Sequence, residues 1–283
     1  MRGRFLIFCA GLGLVLVLAR GGFPLHLAAQ EETGFEAGGE HLRLETEHGP
    51  IHLWRPAEYN QRAAGIVIYI HGYFTSVDQT WTYDGLAAQF QASGRNALFI
   101  VPEAPESNGE EVSWKSLGNL LHTVADRVPF ELPRGSLVVV GHSGGFRTVL
   151  AWLHDPRLQY VILLDGLYGG QLEFRSWLRR STRSTPHRMV LVADDTWWGS
   201  NRFARRIYSV ARRTSIPAQS SSFTPKEIGS RLILLHSQYE HNEIVNSGKV
   251  IPVLLQIAPL KAMAAEPKPG PGKVLPKSSA PAG

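Results

Sequence analysis

Six short runs between residues 65 and 235 are predominantly apolar, with no polar–apolar alternation: 65–70 (Gly-Ile-Val-Ile-Tyr-Ile), 97–101, 136–140, 160–164, 189–193 and 231–235. A strand with one wet face alternates polar and apolar residues, whereas an unbroken apolar run is buried on both faces, as parallel strands covered by helices are. The segments between, such as 80–93, 112–126, 144–154 and 200–213, are long enough for crossover helices. This βαβ rhythm restricts the chain to an α/β class, a mostly parallel, doubly wound sheet with helices on both faces. Ahead of it, 41–46 and 51–55 read as an antiparallel pair turning at Gly49-Pro50. No internal repeat or interior linker interrupts the pattern, so residues 38–263 are expected to form one domain.

The two ends differ from this middle. Arg2 and Arg4 precede an apolar run from Phe5 to Ala19, the charge-then-hydrophobe order of a secretory signal. The run is short of the roughly 20 residues that span a bilayer comfortably. Ala28 and Ala29 place cleavage near Ala29, so residues 1–29 are read as a signal peptide and the protein as exported, periplasmic or extracellular. Leu27 fits the small-x-small rule poorly, which leaves an uncleaved N-terminal membrane anchor as the alternative. Residues 264–283 are rich in Pro, Gly, Lys and Ser and are expected to be disordered.

Of the formal net charge of +5, Arg2, Arg4 and Arg20 supply three, and Lys268, Lys273 and Lys277 against Glu266 supply two. The stretch between is neutral, so nothing in the charge points to nucleic acid. Hydrophobic residues at 43% and charged residues at 19% exclude wholesale disorder and a multi-span membrane protein. The single cysteine, Cys9, lies in the apolar run, so a disulfide framework and a cysteine metal site are excluded from the rest. Glycine-rich phosphate loops are absent, and no cofactor is implied.

In a doubly wound sheet, ligands bind at the carboxyl ends of the strands. There the chain places His71-Gly72-Tyr73, Pro102-Glu103, Gly141-His142-Ser143-Gly144-Gly145, Asp165-Gly166, Asp194-Asp195, and His236 with His241 beyond it. Gly-x-Ser-x-Gly between a strand and a helix is the signature of a nucleophile elbow, a sharp turn that exposes the serine. With His71-Gly72-Tyr73 upstream and an acid and a histidine downstream, the chain resembles the α/β-hydrolase superfamily over nearly the whole domain. The same five letters are similar to the Gly-Asp-Ser-Gly-Gly of trypsin-like proteases, but the βαβ pattern and the absence of other cysteines oppose that reading.

The resemblance implies a serine hydrolase acting on an ester or amide through an acyl-enzyme, with Ser143 as nucleophile. It further implies that the backbone N–H groups of Tyr73 and Gly144 form the oxyanion hole. Superfamily order puts the base after the acid. His154 on the helix after the elbow and His187 before a strand are expected to be structural, which leaves His241, favoured, and His236. Asp165, directly after its strand, resembles the acid of pancreatic-type lipases and is favoured over Asp194 or Asp195; the unused acid would cap a helix. His142 is expected to pack within the elbow.

Tyr73, Phe74, Trp81, Tyr168, Trp197 and Trp198 are candidates for an aromatic mouth. The arginines of 171–188 are read as a solvated helix face in preference to a charged cap. His236, Glu240, His241 and Glu243 lack a recognised zinc spacing, so no metal is expected. A small-molecule, acyl or peptidyl substrate is the expected partner, with membrane association through the N-terminus as a further expectation. Two rival functions remain: a non-catalytic binding or envelope scaffold on the same fold, and acyl transfer to an acceptor other than water.

Overall fold

The computed structural model describes residues 32–264. The expected signal or anchor at 1–29 and, from residue 265 on, the expected disordered tail lie outside the described residues. In chain order the elements are β1 (Glu32–Glu36), β2 (Gly39–Leu44), β3 (Ile51–Pro56), β4 (Gly65–Ile70), α1 (Val77–Tyr83), α2 (Leu86–Ser93), β5 (Ala97–Pro102), α3 (Leu117–Arg127), β6 (Leu137–His142), α4 (Phe146–Trp152) and β7 (Tyr160–Leu164). They continue with α5 (Gln171–Arg179), β8 (Arg188–Ala193), α6 (Trp197–Ala204), β9 (Val210–Arg213), α7 (Pro225–Ile228), β10 (Leu232–His236), α8 (Glu243–Asn246) and α9 (Ile251–Ile257).

All ten strands join one sheet in the order β1-β2-β3-β5-β4-β6-β7-β8-β10-β9. The pairs β1/β2, β2/β3 and β3/β5 are antiparallel, and every other pair is parallel. The unbroken apolar runs are strands buried on both faces. On β4, Ile66, Ile68 and Ile70 enter one core and Val67 and Tyr69 the other. Helices α3, α4, α5 and α6 cover the first face through Leu120, Trp152, Trp177 and Phe203. Helices α1, α2, α8 and α9 cover the second through Trp81, Phe90, Ile244 and Leu254. Each such side chain withdrawn from water stabilises the fold by about 1.5–3 kcal/mol.

Register sets the position of the chemistry. Ile70 lies beside Gly141, His142 beside Leu164, Leu164 beside Val192, and Ala193 beside His236. The carboxyl ends of five parallel strands are therefore nearly flush along one edge.

Several elements depart from expectation. The sheet begins at Glu32, ahead of the boundary at 38. The expected helix over 80–93 is broken at Gly85, whose φ of 59° is left-handed. The expected helix over 200–213 stops at Ala204, and 210–213 is the edge strand β9. At the C-terminal side, α8 and α9 are separate helices, with left-handed Gly248 between. Helix α5 buries Phe174, Trp177 and Leu178 against the sheet, so its arginines lie on the outer face of a crossover helix. Among the described residues no helix is long and apolar enough to cross a membrane.

Candidate active site

Strand β6 ends at His142, and the chain turns at once through a single 3₁₀ turn, Ser143–Gly145, into α4. Ser143 has φ of 48°, a left-handed value that costs a residue with a Cβ about 1–2 kcal/mol. Close packing imposes it. A Cβ added to Gly72 would lie 2.9 Å from Cβ of Ser143, and one added to Gly144 would lie 2.4 Å from the Tyr73 ring. The end of β4 thus runs directly against the turn, and only glycine permits that approach. The N–H of Gly144 is one of the orphan donors at a helix start. The N–H of Tyr73 has no acceptor among the described residues, whereas that of the next residue, Phe74, bonds to the carbonyl of Glu106 at 2.8 Å.

One strand further along, Asp165 follows β7 with φ of 44° and no exposed surface. Its Oδ1 accepts from the backbone N–H groups of Asp194 (3.0 Å) and Thr196 (2.9 Å) and from Oγ1 of Thr196 (2.6 Å). Its Oδ2 accepts from the N–H of Asp195 (3.1 Å) and from Nδ1 of His241 (2.7 Å). Burial alone would raise the carboxyl's pKa, but the hydrogen bonds from His241, Thr196 and Asp194 outweigh it and hold the group well below the usual carboxylate range. The same bond from Asp165 raises the pKa of His241, against its own partial burial. With Nδ1–H donating to Asp165, Nε2 of His241 carries a lone pair and can take a proton.

Ser143 and His241 line one cavity of about 900 Å³ together with His71, Tyr73 and Phe74. His71 is fully buried; its Nδ1 donates to the carbonyl of Gly72 (2.7 Å), and its Nε2 lies 2.6 Å from Oε1 of Glu103. Glu103 also accepts from the N–H of Val77 at the start of α1 (3.1 Å), so one carboxylate ties the Tyr73 turn to that helix. His142 does more than pack in the elbow. Its Nε2 donates to the carbonyl of His241 (3.2 Å), its ring stands 4.8 Å from the His241 ring, and it lines the cavity. Burial, then the charge of His241, lowers its pKa to about 3, so it is neutral at ordinary pH.

The other candidates lie elsewhere. His236 stacks on Trp197 at 4.0 Å; His187 stacks on Trp177 and contacts its carbonyl; His154 is exposed after α4. Asp195 is exposed, with its carboxylate 3.8 Å from Nδ1 of His241, and Asp194 and Asp195 reach Asp165 through backbone N–H groups. Neither carboxylate caps α6, whose N-cap is Thr196. Trp81 is not at the mouth; it is buried and stacked on His41 and His52. Asp165, Asp195 and His241 bring three potential ligand atoms within 4.8 Å of one another. Five donors already surround Asp165, which leaves its oxygens no lone pair for a cation.

No family model and no curated protein matches the sequence. Solved structures do match the fold. The feruloyl esterase module from Clostridium thermocellum, in complex with sinapinate, is 11% identical with a TM-score of 0.53, over 82% of this chain and 96% of its own. A protein designated FAE is 12% identical with a TM-score of 0.52, over 82% of this chain and 89% of its own. The sheet order, the crossover helices and these likenesses define the class: this chain has the α/β-hydrolase fold.

Proposed function

We propose that the protein is an exported serine hydrolase that cleaves an ester or amide through Ser143, His241 and Asp165. The observation that carries the reading is a buried, donor-saturated Asp165 gripping His241 at 2.7 Å in the cavity that a strained Ser143 lines. The feruloyl esterase that shares the fold favours the ester. Export rests on the pattern of residues 1–29, and sequencing the N-terminus of the mature protein tests it.

Nε2 of His241 takes the proton of Ser143 Oγ as that oxygen bonds to the substrate carbonyl carbon. The N–H groups of Tyr73 and Gly144 receive the developing oxyanion, and Asp165 stabilises the imidazolium. Collapse breaks the bond to the leaving group, which departs with the proton from His241, and leaves an acyl-serine. Water, deprotonated by the same imidazole, then releases the acid and restores Ser143.

A fluorophosphonate added to the chain lacking residues 1–29 is expected to form an adduct that peptide mapping places on Ser143 and that Ser143→Ala abolishes. A folded protein that forms no adduct would favour the non-catalytic scaffold, and labelling that survives the substitution would overturn Ser143 as the nucleophile. Product analysis with alcohol acceptors separates hydrolysis from acyl transfer.

A further inference from the structure

One wall of the cavity is not accounted for by Ser143, His241 or the Tyr73 turn. The end of α1 builds it, with Thr80, Thr82, Tyr83 and Asp84. Asp84 is the C-cap of that helix, its N–H bonded to the carbonyl of Thr80 at 3.0 Å. Its own carbonyl accepts from Nε2 of Gln89 at 2.7 Å, and the same amide donates to the carbonyl of Val245 at 2.6 Å. The backbone is thereby fixed from three elements. The carboxyl it presents has no hydrogen bond or ion pair among the described residues.

The contrast with Asp78 is instructive, because Asp78 lines the same cavity but is neutralised. Arg43 reaches it at 2.7 and 2.8 Å, and His52 at 2.7 Å. Among the described residues no lysine or arginine lines the cavity, whose other ionisable side chains are His71, His142, His241, Tyr73 and Tyr83. Two more polar atoms at this end lack a partner among the described residues: Oη of fully buried Tyr69, which feels the charge of Asp84, and Oε1 of Gln89. The cavity that Asp84 lines is also aromatic, with Tyr83 next to it in sequence, and Phe74 and Tyr83 are 92% and 77% exposed. A carboxylate drawn partly out of water is unfavourable until a counter-charge reaches it. Aromatic faces around it attract the same sign of ligand.

We propose that Asp84 is a specificity residue that selects substrates bearing a positively charged nitrogen, held between its carboxylate and the rings of Tyr73, Phe74 and Tyr83. The inference rests on Ser143 as the nucleophile of this cavity. Burial raises the pKa of Asp84 to about 6, against the pull of His71, so the selection weakens as pH falls through that value. Tyr69 and His71, at the end of β4 and just beyond it, interact electrostatically with Asp84; Asp78 on α1 and His241 in the last loop line the same cavity, and α2 offers the uncharged Gln89.

Two matched ester pairs test this. A choline ester against its 3,3-dimethylbutyl isostere puts the charge on the alcohol. A 4-nitrophenyl 6-aminohexanoate against the heptanoate puts it on the acyl group. In at least one pair the wild type is expected to prefer the cation by roughly tenfold in kcat/KM near pH 8, with the ratio falling towards one in Asp84→Asn and below about pH 6. The ratio cancels the titration of His241, which acts on both members. Ratios near one in both pairs, or a preference that Asp84→Asn leaves intact, would overturn the proposal. Calorimetric binding of hexyltrimethylammonium to Ser143→Ala, expected to weaken roughly tenfold when Asp84→Asn is added, reads the same pocket without turnover. Binding without any ester hydrolysis would count against the hydrolase and for the pocket; Ser143-dependent hydrolysis without selectivity would do the reverse.

Discussion

Asp165 and Asp195 both lie within 4 Å of the same imidazole nitrogen, but their surroundings differ. Asp165 has no access to solvent and is charged because five donors converge on it. Asp195 is 64% exposed and shares its charge with water. Replacing Asp165 by Asn is expected to lower kcat by about 10³–10⁴, because the amide can hold the wrong imidazole tautomer, whereas Asp195→Asn changes it less than about threefold. The pH profile follows the same bond. His241 must be neutral to act as base, and its bond to Asp165 raises its pKa, so activity falls on the acid side with a midpoint above the ordinary imidazole value. Steady-state kinetics of both variants from about pH 5 to 9 checks these expectations. At this scale the sequence was informative where chemistry coincides with a strand end, as at Asp165. It was silent on Asp84 and on the contact from His142 to His241, because α1 and the last loop reach the cavity only through the tertiary path of the chain.

The elbow works as an element because two backbones pass at glycine distance. Gly144→Ala would push a methyl group into the Tyr73 ring and displace the turn whose N–H is proposed to meet the oxyanion. The expected result is a loss of about 1–3 kcal/mol in stability from overpacking and a roughly hundredfold fall in kcat, read by urea denaturation and kinetics side by side. A loss of stability with kcat intact would remove Tyr73 from the hole. The strands were legible for a related reason: burial on both faces leaves an apolar run that few other structures tolerate. Helix ends were not. Gly85 breaks a segment long enough to read as one helix, and a left-handed φ at a single glycine with open space around it leaves no mark in the apolar pattern. β9 escaped because Val210–Arg213 is a half-buried edge whose Arg213 is spent on Glu227 at 2.9 Å and on the Phe223 ring at 4.8 Å.

For the whole molecule, titration of the interior sets how stability responds to acid. His142 and His52 have pKa values lowered to about 3 and about 4 by burial, whereas both bind a proton near pH 6.5 once unfolded. As pH falls below about 6.5 the unfolded chain gains protons that the folded one refuses, so stability declines. Asp84, raised to about 6, acts in the opposite sense but moves less than either imidazole. Urea unfolding is expected to show a loss of a few kcal/mol between about pH 7 and 5, a slope that His142→Gln reduces. An equal slope in that variant would assign the acid sensitivity elsewhere.

The pairing of Asp165 with His241 also has a consequence in time. These residues are 76 positions apart, and the backbone cage of Asp165 is supplied by the turn after β8, with β10 paired on that same strand before the last loop can fold back. A chain emerging from its N-terminus displays Ser143 long before the partner that would activate it. The proposed centre therefore stays dormant through synthesis and becomes competent only when β10 has docked.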